Sequence, residues 1–143
     1  MNKPLYEEDF FAWTQAQADV LRRRSANEID WDNLLDEMES LGRVQRRELH
    51  NRLVILHSHI LKWEMQPDRR GRSWSATIKV QQNEIVHLMQ ESPSLKSALA
   101  EIYPQAYADA RDYASLETGY PVPDFERMTM LTFEDALAYA PKD

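Results

Sequence analysis

Between Leu49 and Trp63 an apolar residue recurs at alternating steps of four and three: Leu49, Leu53, Leu56, Ile60 and Trp63. At about 100° per residue this spacing sets all five along one side of an α-helix, the pattern that packs knobs into holes between near-antiparallel helices. A strand, whose side chains alternate in twos, cannot present them together. The stretch therefore predicts the central helix of a bundle, and the rest of the chain must supply helices to cover it. Only three glycines, Gly42, Gly71 and Gly119, punctuate the 143 residues, each where a helical pattern stops or turns. So few turn residues suit helices better than a sheet.

The remaining apolar residues fit that frame. Phe10, Trp13, Ala16, Val20 and Leu21 define an amphipathic helix over about residues 6–24. Asp30 is placed to cap a second helix carrying Trp31, Leu34, Leu35, Met38 and Leu41, with a break or kink expected at Gly42. Past the turn Pro67–Gly71, Ser73 or Ser75 is placed to cap a fourth helix that points Trp74, Ile78, Ile85, Leu88 and Met89 at the core. Ser92-Pro93 is a start signal for a fifth, with Leu95, Leu99, Ile102, Ala106, Ala110 and Tyr113 on one face, a kink at Pro104 and a stop at Gly119. Residues 120–131 hold two prolines and no clear period, after which Thr132 and Asp135 form a capping box for a short last helix. The fold expected is all-α, an antiparallel helical bundle of about five helices plus a short C-terminal helix, in a single domain over residues 1–143.

A chain of this length hides roughly 70% of its unfolded surface on folding, enough for a core without covalent staples. It has no cysteine, which excludes disulfides, thiol nucleophiles and cysteine-based zinc sites and agrees with a reducing compartment. The first residues, MNKPLYEEDFF, lack a basic leader followed by an apolar stretch, and no run approaches the ~18 apolar residues of a membrane span. The expected location is the cytoplasm, with no membrane partner.

Several separated blocks carry a resemblance. LYEEDFFAW at Leu5–Trp13, LLDEMESLG at Leu34–Gly42, HILKW at His59–Trp63, RRGRSW at Arg69–Trp74, SPSL at Ser92–Leu95 and ETG at Glu117–Gly119 follow in this order. Together they resemble the bacterial family called domain of unknown function 29, over about residues 5–140. The resemblance implies an all-helical fold and carries no established activity, so no catalytic residue transfers from it. The tail departs from the family pattern, reading PVPDFERMTMLTFEDAL where similar proteins often place a proline and acidic segment before a threonine-led helix.

Charge is unevenly spread. Residues 1–21 carry net −3, 22–79 net +3 from twelve basic and nine acidic groups, and 80–143 net −7. An acidic chain does not attract nucleic acid through its mean field, so such binding would have to use the middle segment. Ten of its twelve cations are arginines, whose planar fork grips phosphate or carboxylate at two points. The candidate binding residues are Arg46, Arg47, His57, Arg69, Arg70, Arg72 and Trp74. The structural alternatives weigh more: Arg22–Arg24 close a helix where its dipole favours cations, and the arginines at 69, 70 and 72 suit a solvated turn. Trp74 is more often core than a stacking platform. Arg46 continues the heptad series back from Leu49, where a charge needs a partner, so an ion pair with Glu37 or Glu39 is expected.

Catalytic and metal signatures are incomplete. Glu84 and His87 make one glutamate-x-x-histidine motif, whereas a di-iron bundle needs two with two further glutamates. His57 and His59 point to different sides of a helix, and His50 and His57 stand ~10 Å apart along it. No metal, cofactor or catalytic residue is assigned. The reading that remains is a binding module that engages a protein partner or itself. Its competitors are a nucleic-acid-associated protein using the corner at residues 69–74 and an enzyme with a metal inside the bundle.

Overall fold

The computed structural model describes residues 4–142, among which every regular element is helical. The elements are α1 (Leu5–Glu8), α2 (Phe10–Arg22), α3 (Trp31–Met65), α4 (Arg72–Glu91), α5 (Leu99–Thr118), α6 (Val122–Glu126) and α7 (Phe133–Ala138). Short 3₁₀ turns at Ala26–Glu28, Pro67–Arg69 and Pro93–Ala98 join some of them. The all-α class and the short C-terminal helix agree with the sequence. Spatial grouping divides the chain after Val44 into two compact units.

The first unit is built from α1, α2 and the opening turns of α3. Its expected single leading helix is interrupted at Asp9, which turns extended (φ −150°) and accepts a hydrogen bond from the Ala12 amide at 3.0 Å. A short carboxylate competes well for free amides, so it restarts the helix. Tyr6, Phe10 and Trp13 pack as an aromatic cluster, with the Tyr6 and Trp13 ring centres 4.8 Å apart. The Tyr6 hydroxyl donates to Glu37. Asp30 stands at the start of α3 as expected and does more than cap it. Its carboxylate accepts from the Trp13 indole (3.1 Å) and the Asn33 amide (2.8 Å), and those bonds hold it below the usual carboxylate range.

The expected break at Gly42 does not occur, and α3 runs through it for 35 residues, about 50 Å. One interior glycine costs about 1 kcal/mol relative to alanine, too little to interrupt a long run of helical hydrogen bonds.

The second unit has a continuous core. Leu49, Leu53, Leu56 and Ile60 of α3 meet Ile78, Ile85 and Leu88 of α4, Ile102 and Ala106 of α5, and Ala136 of α7. Leu49, Leu53, Leu56, Ile78 and Ile85 are fully buried, each worth about 2 kcal/mol of apolar transfer. A smaller cluster of Leu61, Ala114 and Phe125 seats α6. That helix was not foreseen in the two-proline stretch, yet Pro121 occupies its cap and Pro123 its first turn, where a missing N–H is harmless.

Two starts differ from expectation. Gly71, not a serine, precedes α4, and the Ser75 hydroxyl instead donates back to the Arg72 carbonyl. Ser92 gives its hydroxyl to Gln45 at 3.0 Å, and the chain after it winds as a 3₁₀ turn before α5. Pro104 sits exposed inside α5, which continues past it and ends at Gly119 in the left-handed region (φ 79°) that only glycine adopts freely. Thr132 caps α7 as expected, accepting from the Asp135 amide at 3.1 Å. The buried Gln82 amide then holds α7 in place by donating to the Ala136 and Tyr139 carbonyls.

Candidate functional site

The arginine corner is largely occupied by its own neighbours. Arg70 Nε donates to the Trp63 carbonyl at 2.8 Å, and its guanidinium lies 5.4 Å from the Trp63 ring centre. Trp74 is half-buried under the Lys62 ammonium, 5.2 Å from the ring centre. Lys62 is itself buried and paired with Glu117. The helix ends and the turn at Pro67 bring these groups together as packing. Arg69 and Arg72 are exposed, as is Arg47.

Arg46 takes a different partner from the one expected. It bonds Glu101 of α5 at 2.9 Å with about half its side chain in solvent, because a long cationic stem at the edge of a stripe carries its head outward. Glu37 serves Tyr6, and Glu39 lies 3.9 Å from Arg43 one turn on.

His57 occupies the wall of a cavity of about 220 Å³, with Ile60, Leu61, Tyr107, Met128 and Leu131 among its neighbours. Arg46 and Arg72 are not part of that lining. The Tyr103 hydroxyl donates to the Leu131 carbonyl at 2.6 Å, so it must accept from His57 Nε2, 2.8 Å away. That assigns the Nε2–H tautomer. Burial pushes the His57 pKa down to about 4 and moves the Tyr103 hydroxyl up, so both are neutral near pH 7. The pair pins the chain at Leu131 against α3 and α5, and neither group ionises near pH 7. Tyr107 lines the same cavity, and its hydroxyl is buried without a hydrogen-bond partner among the described residues.

The other histidines are dispersed. His50 Nε2 lies 2.7 Å from Asp109, His59 Nδ1 bonds the Ile55 carbonyl at 2.8 Å, and His87 is exposed. Glu84 stands 3.7 Å from Arg52. Among the described residues no three acidic or histidine side chains gather as a metal would require.

The largest departure from a closed core is in the first unit. Trp31, Leu35, Met38 and Leu41 are 62%, 58%, 61% and 60% exposed, although the sequence suggests them as the apolar stripe of a core helix. The α2 helix meets the side of α3 bearing Leu34 and Leu41, leaving a groove of about 270 Å³ floored by Trp13, Leu34 and Met38. Phe10 and Leu21, about half exposed, rim it. Only Trp13 and Val20 of this unit are buried apolar residues among those described. A helix pair has too few faces to enclose two stripes. Sequence periodicity found these residues and could not tell that none of the described residues would cover them.

A protein of this build is an all-helical domain with an uncovered apolar helix face. Its sequence matches the family model for domain of unknown function DUF29 across residues 5–140, and the chain belongs to that family. No curated protein and no solved structure matches it. No helix among the described residues is long and apolar enough to cross a membrane.

Proposed function

We propose that the protein is a helical interaction module that docks a protein helix, or a copy of itself, on the apolar face of α3 beside α2. The setting proposed is the bacterial cytoplasm, in keeping with a chain free of cysteine. One observation carries the reading. At about 100° per residue, Trp31, Leu35, Met38 and Gly42 fall within roughly 40° of the direction taken by Leu49, Leu53, Leu56 and Ile60, so a single stripe is buried in one half and exposed in the other. A contiguous apolar patch rimmed by charge is how binding surfaces differ from scattered surface leucines. The prior engagement of Arg70 and Trp74 favours this over a nucleic-acid grip at that corner.

The test is a photo-crosslinking side chain placed at Leu35, with the same group at exposed Asn83 of α4 as control. Covalent protein adducts are expected from position 35 and not from 83, and Met38→Glu should abolish them. No adduct from position 35 in cells expressing the protein overturns the reading.

A further inference from the structure

The cavity beside His57 carries a polar group that its own fold leaves unbonded. Tyr107 is 6% exposed and its hydroxyl is buried, yet no donor or acceptor reaches it among the described residues. The hydroxyls around it are committed elsewhere, Tyr103 between His57 and the Leu131 carbonyl and Tyr139 to Glu64. A buried hydroxyl left unpaired costs about 1–3 kcal/mol, so Tyr107 favours contents that offer it an acceptor. The rest of the wall, from Ile60, Leu61, Met128 and Leu131, is apolar. Its volume of about 220 Å³ exceeds the roughly 150 Å³ of an apolar cavity that admits benzene. One ring with a short substituent fits.

The lining also selects by shape and charge. The His57 and Tyr107 rings stand edge to face with their centres 5.2 Å apart, and the Met128 thioether shares the wall, a setting that suits an aromatic guest. Glu64 and Thr129 are exposed and mark the opening. Burial keeps His57 and Tyr107 neutral, so among the described lining residues only Glu64 is charged near pH 7. An anion would meet a carboxylate at the mouth and no cation within. We propose that this cavity binds a small uncharged aromatic molecule bearing one oxygen, which accepts the Tyr107 hydroxyl proton while the ring lies against Leu61, Met128 and Leu131. The site belongs wholly to the second unit, so it stands whether or not the α3 face docks a partner.

Nuclear magnetic resonance of the full chain with isotope-labelled methionine methyls tests it. Met128 reports on the cavity and Met38 on the apolar groove of the first unit. Benzyl alcohol should shift the Met128 methyl with a Kd of about 1–10 mM, the range for so small a guest, and benzoate should not. Tyr107→Phe should weaken benzyl alcohol by about three- to tenfold, the worth of one hydrogen bond. Toluene, which has no oxygen, should bind that variant at least as tightly as the wild type, because no hydroxyl is then left unpaired beside it. Helical ellipticity confirms that the variant is folded. No Met128 shift up to roughly 50 mM benzyl alcohol, or a shift confined to Met38, overturns the site. An equal response of both probes to Tyr107→Phe overturns the part given to the hydroxyl, and benzoate binding as tightly as benzyl alcohol overturns the preference for a neutral guest.

Discussion

Leu35 and Leu53 lie on the same stripe of the same helix, about five turns apart, yet one is 58% exposed and the other fully buried. Around Leu53 three further helices close the stripe on all sides. Around Leu35 a single short neighbour leaves it open. The contrast shows that helix periodicity specifies a face and not its fate. What a face does depends on how many other elements the chain devotes to it. Where they are plentiful the stripe stabilises the fold, and where they are scarce the same chemistry becomes a surface for association.

The sharpest way to break that contrast is to truncate both leucines. Leu53→Ala should cost about 2–5 kcal/mol, the loss of a packed side chain plus the cavity left behind. Leu35→Ala should change the stability of the dilute chain by less than about 0.5 kcal/mol. Comparable losses in urea denaturation would show that the two halves of the stripe are not distinct in kind.

His57 sharpens the buried side of the comparison through pH. Its folded pKa, about 4, lies below the 6.5 of an exposed imidazole. Above pH 6.5 both states are neutral there and His57 adds no pH dependence. Between that value and about 4 the unfolded chain gains a proton that the folded chain refuses, so stability falls as pH falls. The total is about 3 kcal/mol, at about 1.4 kcal/mol per unit. His57→Gln keeps a donor for Tyr103 and should flatten this slope. Urea midpoints of both proteins at about pH 7 and pH 4.5 would measure it, and equal slopes would contradict a buried neutral imidazole.

The smallest effect belongs to the Arg46–Glu101 pair, whose side chains are 49% and 77% exposed. Glu101→Ala should cost about 0.5 kcal/mol or less and lose even that in high salt. A loss near 2 kcal/mol would mean that the charge is held as tightly as one inside the core.

Much of the fold can be read from local pattern. The stripe from Leu49 to Trp63, the caps at Asp30 and Thr132 and the stop at Gly119 are each set by residues within a turn or two of one another. What escapes is what depends on distant partners. The bond from His57 to Tyr103 spans 46 positions, and that from Lys62 to Glu117 spans 55. A sequence shows Arg46 only the acids near it, whereas its partner, Glu101, lies on α5. Gly42 does not stop α3 because a breaker's cost is local while the gain of an unbroken helix is shared along its length. The exposed face was the hardest to foresee, since a stripe awaiting a partner and a stripe already covered are spelled alike.

Gly42 also gives α3 two clocks. A Cβ there would meet nothing within 4 Å, so no packing requires the glycine, and the helix carries its most easily opened rung in the half with the fewest buried neighbours. Amides between Trp31 and Val44 can open in brief local events while those from Leu49 to Trp63 wait for the core to come apart. A partner that covers the open stripe would slow the first clock toward the second, so backbone breathing in that segment becomes a gauge of occupancy.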